Sequence, residues 1–220
     1  MKVVAVVPLK LNNERLPGKN TKCFDDGTPL ITYFLKTLVK VSGFNEIYVF
    51  CSDSSICKYI IHPVKFVERP LYLDEKNATP QDIISEFMKR VDADIYAVCH
   101  CTSPFVTVSH FEECVNAVKN ENHDSSFTGE LIKKLLWNQD NVPLNFSANN
   151  VPRTQDLSDI YAENSACYVF SKSTFVKYKR RVGFTPHITV VKGVECVDID
   201  YPEDFEIANA IYKSFFMGNR

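Results

Sequence analysis

A chain of 220 residues, 45% of them hydrophobic, is long enough for one large α/β domain with a sizeable core, whereas two independent domains would each be small. A formal net charge of -2 gives no global attraction to nucleic acid or to an anionic membrane. No apolar run approaches the roughly 20 residues that span a bilayer. Only Met1 and Lys2 precede the first apolar run, so a signal peptide is not expected and a cytoplasmic protein is.

Val3 to Val7 is a continuous apolar run stopped by Pro8, the pattern of a strand buried on both faces of a parallel sheet. The loop that leaves it carries Lys10, Arg15 and Lys19 and is broken by Pro17 and Gly18. Thr28 to Val41 has apolar residues at helical spacing, with Gly43 as a stop. Glu46 to Cys51 reads as a second buried strand, followed by Ser52-Asp53 as a helix N-cap pair. A short strand near Val64 to Val67 leads into a polar loop, Glu68 to Asn77. Thr79-Pro80 opens a helix to about Arg90, with proline where the first turn tolerates it. Asp94 to Cys99 is a fourth strand, ending in His100-Cys101-Thr102-Ser103-Pro104, and a helix follows from about Ser109 to Lys119. This alternation argues for a largely parallel sheet with helices on both faces.

The pattern changes after Ser125. Lys133 to Ile160 is rich in Asn and Asp, holds Pro143 and Pro152, and has little helical periodicity. A plain loop of that length is uncommon inside a compact domain, so an arm or lid is expected there. Glu163 to Ser171 resumes the strand signal, Val194 to Asp200 gives a last strand tip, and Pro202 to Phe216 a last helix. Eight cysteines contain no C-x-x-C pair, which leaves reduced packing residues as the reading.

Three groups of residues carry chemistry. Lys10, Arg15 and Lys19, with Asn12, Asn13 and Asn20, sit where open α/β sheets bind ligands. Arginine neutralises phosphate oxygens in bidentate fashion and lysine as a point charge. Too few glycines are present for a dinucleotide fingerprint or a Walker loop, and the same residues could equally form a solvated surface loop. Asp198 and Asp200, two apart on a strand, would project to one face. They suit Mg²⁺ carried on a nucleotide's phosphates, or one of them could pair with a core cation while Glu203 and Asp204 cap the last helix. Thr102-Ser103-Pro104 offers hydroxyls to a sugar or base, or simply closes a strand-to-helix connection. His100 is open as a general base or a structural histidine.

Taken in order, four segments resemble the bacterial CTP-dependent cytidylyltransferases, chiefly the acylneuraminate (sialic acid type) group and then the 3-deoxy-manno-octulosonate group. They are VVPLKLNNERLPGKN, CTSPF, IYAENSACYVF and VDIDYPEDFEIANAI. There are departures. Lys10 stands where the family usually has arginine, Glu14 where sialic acid enzymes have lysine, and His100 where glutamine is common. Asn164-Ser165-Ala166 replaces N-G-A, and Tyr161 lies near the place of an arginine.

The resemblance implies a three-layer α/β/α Rossmann-like nucleotidyltransferase fold, a single domain over residues 1–220, and a dimerisation arm at 133–160. It implies transfer of CMP from CTP to an acidic acceptor with loss of pyrophosphate, the acceptor being a nonulosonic acid or else an octulosonate or phosphonate. An inactive nucleotide-binding module is the rival from another class. The implied catalytic residues are Arg15, Lys19 and Asp200. The nucleotide would be held by Leu9, Lys10, Asn12, Arg15, Lys19, Asn20, Thr79, Thr102 and Ser103, and the acceptor by His100, Arg153, Gln155, Tyr161 and Asn164. Asp198 and Asp200 would bind Mg²⁺ (or Mn²⁺). A homodimer is implied, with neither nucleic acid nor membrane as partner.

Overall fold

The computed structural model describes residues 1–217. Seven strands form one sheet in the order β3-β2-β1-β4-β6-β5-β7: β1 (Val3–Pro8), β2 (Glu46–Cys51), β3 (Lys65–Glu68), β4 (Ile95–Cys99), β5 (Ser125–Ile132), β6 (Ile160–Ser171) and β7 (Pro186–Val191). The pairs β1–β2, β1–β4, β2–β3 and β5–β7 are parallel, and only β6 runs against its neighbours β4 and β5.

The alternation along β1 builds the layers. Val3, Ala5 and Val7 join a core with α1 (Leu30–Leu38) and α3 (Val108–Asn120), while Val4 and Val6 face α2 (Pro80–Met88) and α4 (Lys172–Tyr178). Leu30, Ile31, Phe34, Leu35 and Leu38 form the buried stripe of α1, the spacing that makes this segment helical. The start of α2 is fixed by a reciprocal capping box between Thr79 and Asp82, with Pro80 in the first turn. A third apolar cluster joins α5 (Pro202–Phe215) to the basic loop through Leu16, Phe24, Phe105 and Phe205. Phe24 stacks on Tyr212 at 4.3 Å between ring centroids, so the C-terminal helix is tied to the loop after β1.

Several sequence expectations need correction. Val194 to Asp200 is not a strand. Gly193–Cys196 forms a 3₁₀ turn closed by Val197 N–H, and beyond it Ile199 N–H donates to the Thr102 carbonyl at 2.8 Å. After Ser52, Asp53 caps a 3₁₀ helix (Ser54–Tyr59) rather than an α-helix. Strands β5 and β7 and helix α4 were not expected. Residues 133–159 do leave the sheet between β5 and β6, with only isolated bridges at Trp137–Pro143 and Ser147–Asn150 and a short 3₁₀ helix. All eight cysteines are free thiols, five of them buried. Among the described residues no helix is long and apolar enough to cross a membrane.

Candidate active site

The carboxyl ends of β1 and β4 open onto two adjoining pockets. One, of about 370 Å³, is walled by Lys10, Asn13, Glu14, Arg15, Lys19, Lys76 and Asp200. The other, of about 320 Å³, shares Lys10, Asn13, Lys19 and Lys76 and adds Leu9, Asn20, Arg69, His100 and Thr102.

Local backbone geometry aims these groups. Gly18 has φ 69° and precedes the 3₁₀ turn Lys19–Thr21. That left-handed conformation costs an L-residue about 1–2 kcal/mol, and it turns Lys19 inward, where only 8% of the residue stays exposed. Lys19 Nζ donates to the Ile199 carbonyl at 2.7 Å and lies 3.1 Å from Asp200 Oδ1. Arg15 reaches the other oxygen of Asp200 at 2.9 Å. Tyr201, under the guanidinium, and Asp200 together raise the Arg15 pKa further. Asp204 in the first turn of α5 accepts the backbone N–H groups of Asp200 and Tyr201 at 2.9 and 2.8 Å. The two ends of the chain are thus clamped into one charged wall.

Asp198 and Asp200 flank buried Ile199. Asp198 is exposed and meets Ser103 Oγ at 3.5 Å. Two carboxylates beside a basic pocket are the hard oxygen donors that Mg²⁺ accepts along with substrate phosphates, so the residues fit that ion. The described residues also contain a separate small cluster able to hold a metal, Glu121, His123 and His187, none of which lines these pockets.

The other sequence-predicted residues divide. Leu9, Lys10, Asn20 and Thr102 line the pocket. Asn12 does not; it faces a separate depression with Ser52 and Asp53, and its neighbour Asn13 takes the wall. Thr79 spends its hydroxyl on the α2 cap, while Ala78 lines the pocket. Ser103 is buried and donates to the Asn164 carbonyl. Asn164 is buried, bonds to the Glu195 carbonyl at 3.1 Å, and keeps an unpartnered Oδ1. Arg153, Gln155 and Tyr161 are exposed, with Arg153 engaged by Asp156 at 2.7 Å, and they form no part of the pocket walls.

His100 has a buried, unpartnered Nε2. Burial, with Arg181 and Lys19 nearby, lowers its pKa to about 4, so the imidazole is neutral at pH 7 and a poor general base. A further cavity of about 140 Å³ lies between His100, Ala78, Ile83 and Arg181.

Sequence reasoning missed Arg69, Lys76 and Arg181. Arg69 is 4% exposed, forms a buried ion pair with Asp74, and has a free Nε. Its position directly after β3 was the available signal. Lys76 pairs with Glu14 across the pocket mouth at 3.0 Å. Arg181 lies over the Tyr168 ring at 3.6 Å, and Glu163, the carboxylate it faces, is 3.7 Å away, beyond hydrogen-bond reach.

A mostly parallel α/β sheet with a basic loop at its carboxyl edge defines a nucleotidyltransferase-type fold. The chain belongs to the cytidylyltransferase family, whose model matches residues 4–215. It is 24% identical over 215 residues to N-acylneuraminate cytidylyltransferase A of Danio rerio, covering 94% of this chain and 50% of that protein. It is 22% identical over 215 residues to the N-acylneuraminate cytidylyltransferase of Streptococcus agalactiae (serotype V), covering 93% and 52%. The chain therefore spans about half the length of these relatives. The pseudaminic acid cytidylyltransferase of Campylobacter jejuni is 22% identical over 232 residues, with 97% of each covered. In fold, the chain is similar to a CMP:2-keto-3-deoxy-manno-octonic acid synthetase solved with CTP, with TM-score 0.72, 18% identity and 97% and 99% coverage. It is also similar to the 4-diphosphocytidyl-2C-methyl-D-erythritol synthase of Anaerococcus prevotii, with TM-score 0.67, 14% identity and 96% and 98% coverage.

Proposed function

We propose that this protein transfers CMP from CTP to a nonulosonic, sialic-type sugar acid and releases pyrophosphate. The observation that carries this reading is the Arg15–Asp200–Lys19 wall, which joins the basic loop to the D-I-D segment in one pocket. Membership of the cytidylyltransferase family supports CTP as the donor.

Arg15, Lys19 and Lys10 are placed to neutralise the triphosphate, Arg15 as a fork and the lysines as point charges. The acceptor's hydroxyl oxygen attacks the α-phosphorus and gives up its proton to solvent, the bond from the α-phosphorus to the bridging oxygen breaks, and that oxygen leaves with pyrophosphate. Charge grows on the leaving group in this step, so preorganised cations in a shielded site lower the barrier. Asp198 and Asp200 would hold Mg²⁺ (or Mn²⁺), which supplies further charge neutralisation of the phosphates when bound. Arg15 and Lys19, which share Asp200 here, would turn to phosphate oxygens if Asp200 held the ion. Neutral His100 orients the acceptor by a hydrogen bond at Nε2.

The acceptor needs a cation for its carboxylate. Arg181 lines the cavity beside His100 and meets Glu163 only at 3.7 Å, an ion pair without a hydrogen bond, so it takes that role where related enzymes place an arginine nearer Tyr161. Lys76 brings to the Glu14 rim the positive charge that Glu14 itself lacks. Pyrophosphate release from CTP, measured with sialic-type acids, octulosonate, phosphonates and neutral polyols, tests the reading. Release dependent on a nine-carbon acid supports it, and release with octulosonate alone replaces the acceptor. CTP binding without turnover on any acid points instead to a nucleotide-binding module.

Residues 133–160 would serve as the arm of a homodimer. Trp137, Val142, Leu144 and Val151 on this excursion are more than half exposed, an apolar surface of the kind that partners cover. Arg153, Gln155 and Tyr161 would then face the partner subunit's pocket. Sedimentation as a dimer at micromolar concentration supports the arm, and a monomer removes it.

A further inference from the structure

The sheet edge opposite the nucleotide pocket carries ligand-type side chains that the proposed reaction does not use. Glu121 follows α3, His123 lies two residues on, and His187 is the second residue of β7. One ligand atom from each lies within 4.8 Å of the other two. His187 pairs in parallel register with Ser126 at the start of β5. The cluster therefore sits at the amino ends of these strands, whereas the proposed site lies at the carboxyl ends of β1 and β4.

Each imidazole already has one nitrogen engaged by a group that can only accept a hydrogen. His123 Nδ1 is 3.0 Å from the Thr185 carbonyl oxygen. His187 Nε2 is 2.9 Å from Glu113 Oε1. The proton is thereby placed on those nitrogens, and the lone pair on His123 Nε2 and His187 Nδ1. Metal-ligating histidines almost always show such an outer partner, a carbonyl or a carboxylate, which fixes both tautomer and ring direction.

The turn beneath is fixed independently of any ligand. Asp124 accepts the N–H groups of Phe184 and Thr185 at 2.6 and 3.1 Å. A Cβ at Gly183 would overlap the Asp124 carboxylate. The Thr185 carbonyl that orients His123 is therefore held in place, and the two rings lie 5.3 Å apart between centroids.

We propose that Glu121, His123 and His187 form a Zn²⁺ site, separate from the Mg²⁺-nucleotide pocket. Two imidazole nitrogens and one carboxylate oxygen are a borderline donor set that matches Zn²⁺. Mg²⁺ demands oxygen ligands and is poorly matched here. Bonds of roughly 2.0–2.1 Å require the side chains to draw inward from their present separation, and exposed Glu121 is free to do so. Three protein ligands leave the fourth position to water. The ion would clip the α3–β5 turn to β7, the edge strand of the sheet.

The test uses the full chain with exposed Cys23 and Cys57 changed to serine, so that stray thiols do not bind the metal. After treatment with a chelator, Zn²⁺ is titrated calorimetrically in millimolar Mg²⁺, and Co²⁺ is added as a spectroscopic probe. One Zn²⁺ per chain, intense Co²⁺ visible bands of low coordination number and a rise in melting temperature on metal addition are expected. His123→Ala or His187→Ala should abolish all three. Glu113→Gln, which alters only the outer partner, should weaken binding by about 10- to 100-fold. If a histidine variant fails to fold, Glu121→Gln and Glu113→Gln, both on exposed residues, carry the test. Absence of stoichiometric binding at 100 µM Zn²⁺ overturns the proposal. So does binding unchanged in the two glutamine variants.

Discussion

Asp200 is the residue on which stability and proposed chemistry can be separated. Its carboxylate meets Lys19 at 3.1 Å and Arg15 at 2.9 Å, with side-chain exposures of 10% for Lys19, 55% for Arg15 and 35% for Asp200 itself. The Arg15 pair is largely exposed and contributes about 0.2–1 kcal/mol. Truncating one member of a fully buried pair costs about 3–5 kcal/mol. Here Asp200 is about one-third exposed and Lys19 keeps the Ile199 carbonyl, so about 1–2 kcal/mol is appropriate. Asp200→Ala should then lose about 2 kcal/mol, a fall of about 4–8 °C in Tm at about 2–4 °C per kcal/mol for a domain of this size. Asp200→Asn keeps an oxygen acceptor for Lys19 and should recover about half of that loss. The rate should not recover, because an amide neither carries the charge nor holds a cation, and both variants should lose about 10²–10³-fold in kcat. Calorimetric melting and pyrophosphate release on the two variants check this. An Asp200→Asn enzyme with near-normal turnover would refute the assignment of Asp200 to the reaction and leave it a structural clamp.

Three other predictions follow from particular residues. His100 has a folded pKa of about 4 against an ordinary 6.5, so the unfolded chain binds its proton first. The stability it contributes is present above pH 6.5 and is lost as pH falls towards 4, about 3 kcal/mol in all; Tm measured against pH should flatten over that window in His100→Gln. Ser165 has φ 65° at the β5–β6 register shift, where the family motif has glycine. Relief of that strain, less the added chain entropy of glycine, should make Ser165→Gly more stable by about 0.5–1 kcal/mol in urea unfolding. Cys23 and Cys57 are exposed, whereas burial raises the Cys101 thiol to about 12, so a thiol reagent at pH 7.5 should label those two quickly and leave Cys101 unmodified until the protein unfolds.

The parts of the fold that were legible in the sequence are those whose local pattern and tertiary role agree. The strands β1, β2 and β4 are unbroken apolar runs because both faces are covered, and α2 announces itself through Thr79, Pro80 and Asp82. The strand β5 was not legible because it buries hydroxyls. Ser126 Oγ donates to the Cys114 carbonyl, Thr128 Oγ1 accepts from Cys167 N–H, and Ser125 Oγ accepts from Gly183 N–H. The edge strand β7 is only half-buried and carries His187 and Thr189, so its alternation is weak. Val194 to Asp200 misled in the opposite direction. Its apolar and acidic alternation reflects buried Ile199 between two outward aspartates, and no neighbouring strand pairs with it.

In the site, charge type was readable and contact was not. Lys19 and Asp200 stand 181 residues apart, and only the fold makes them a pair. Asn12 and Asn13 are interchangeable by composition, and the turn after β1 decides between them. Arg69 and Lys76 enter the pockets from the β3–α2 connection and Arg181 from the α4–β7 connection, a juxtaposition that no local spacing encodes.

The most direct measurement is mass spectrometry of the product formed from CTP, Mg²⁺ and a panel of sugar acids. The proposed chemistry predicts a CMP adduct of a nonulosonic acid, formed in step with pyrophosphate, and weakened in its acid KM by Arg181→Ala more than in its CTP KM. CTP bound by the protein but recovered intact in the presence of every acid would contradict it.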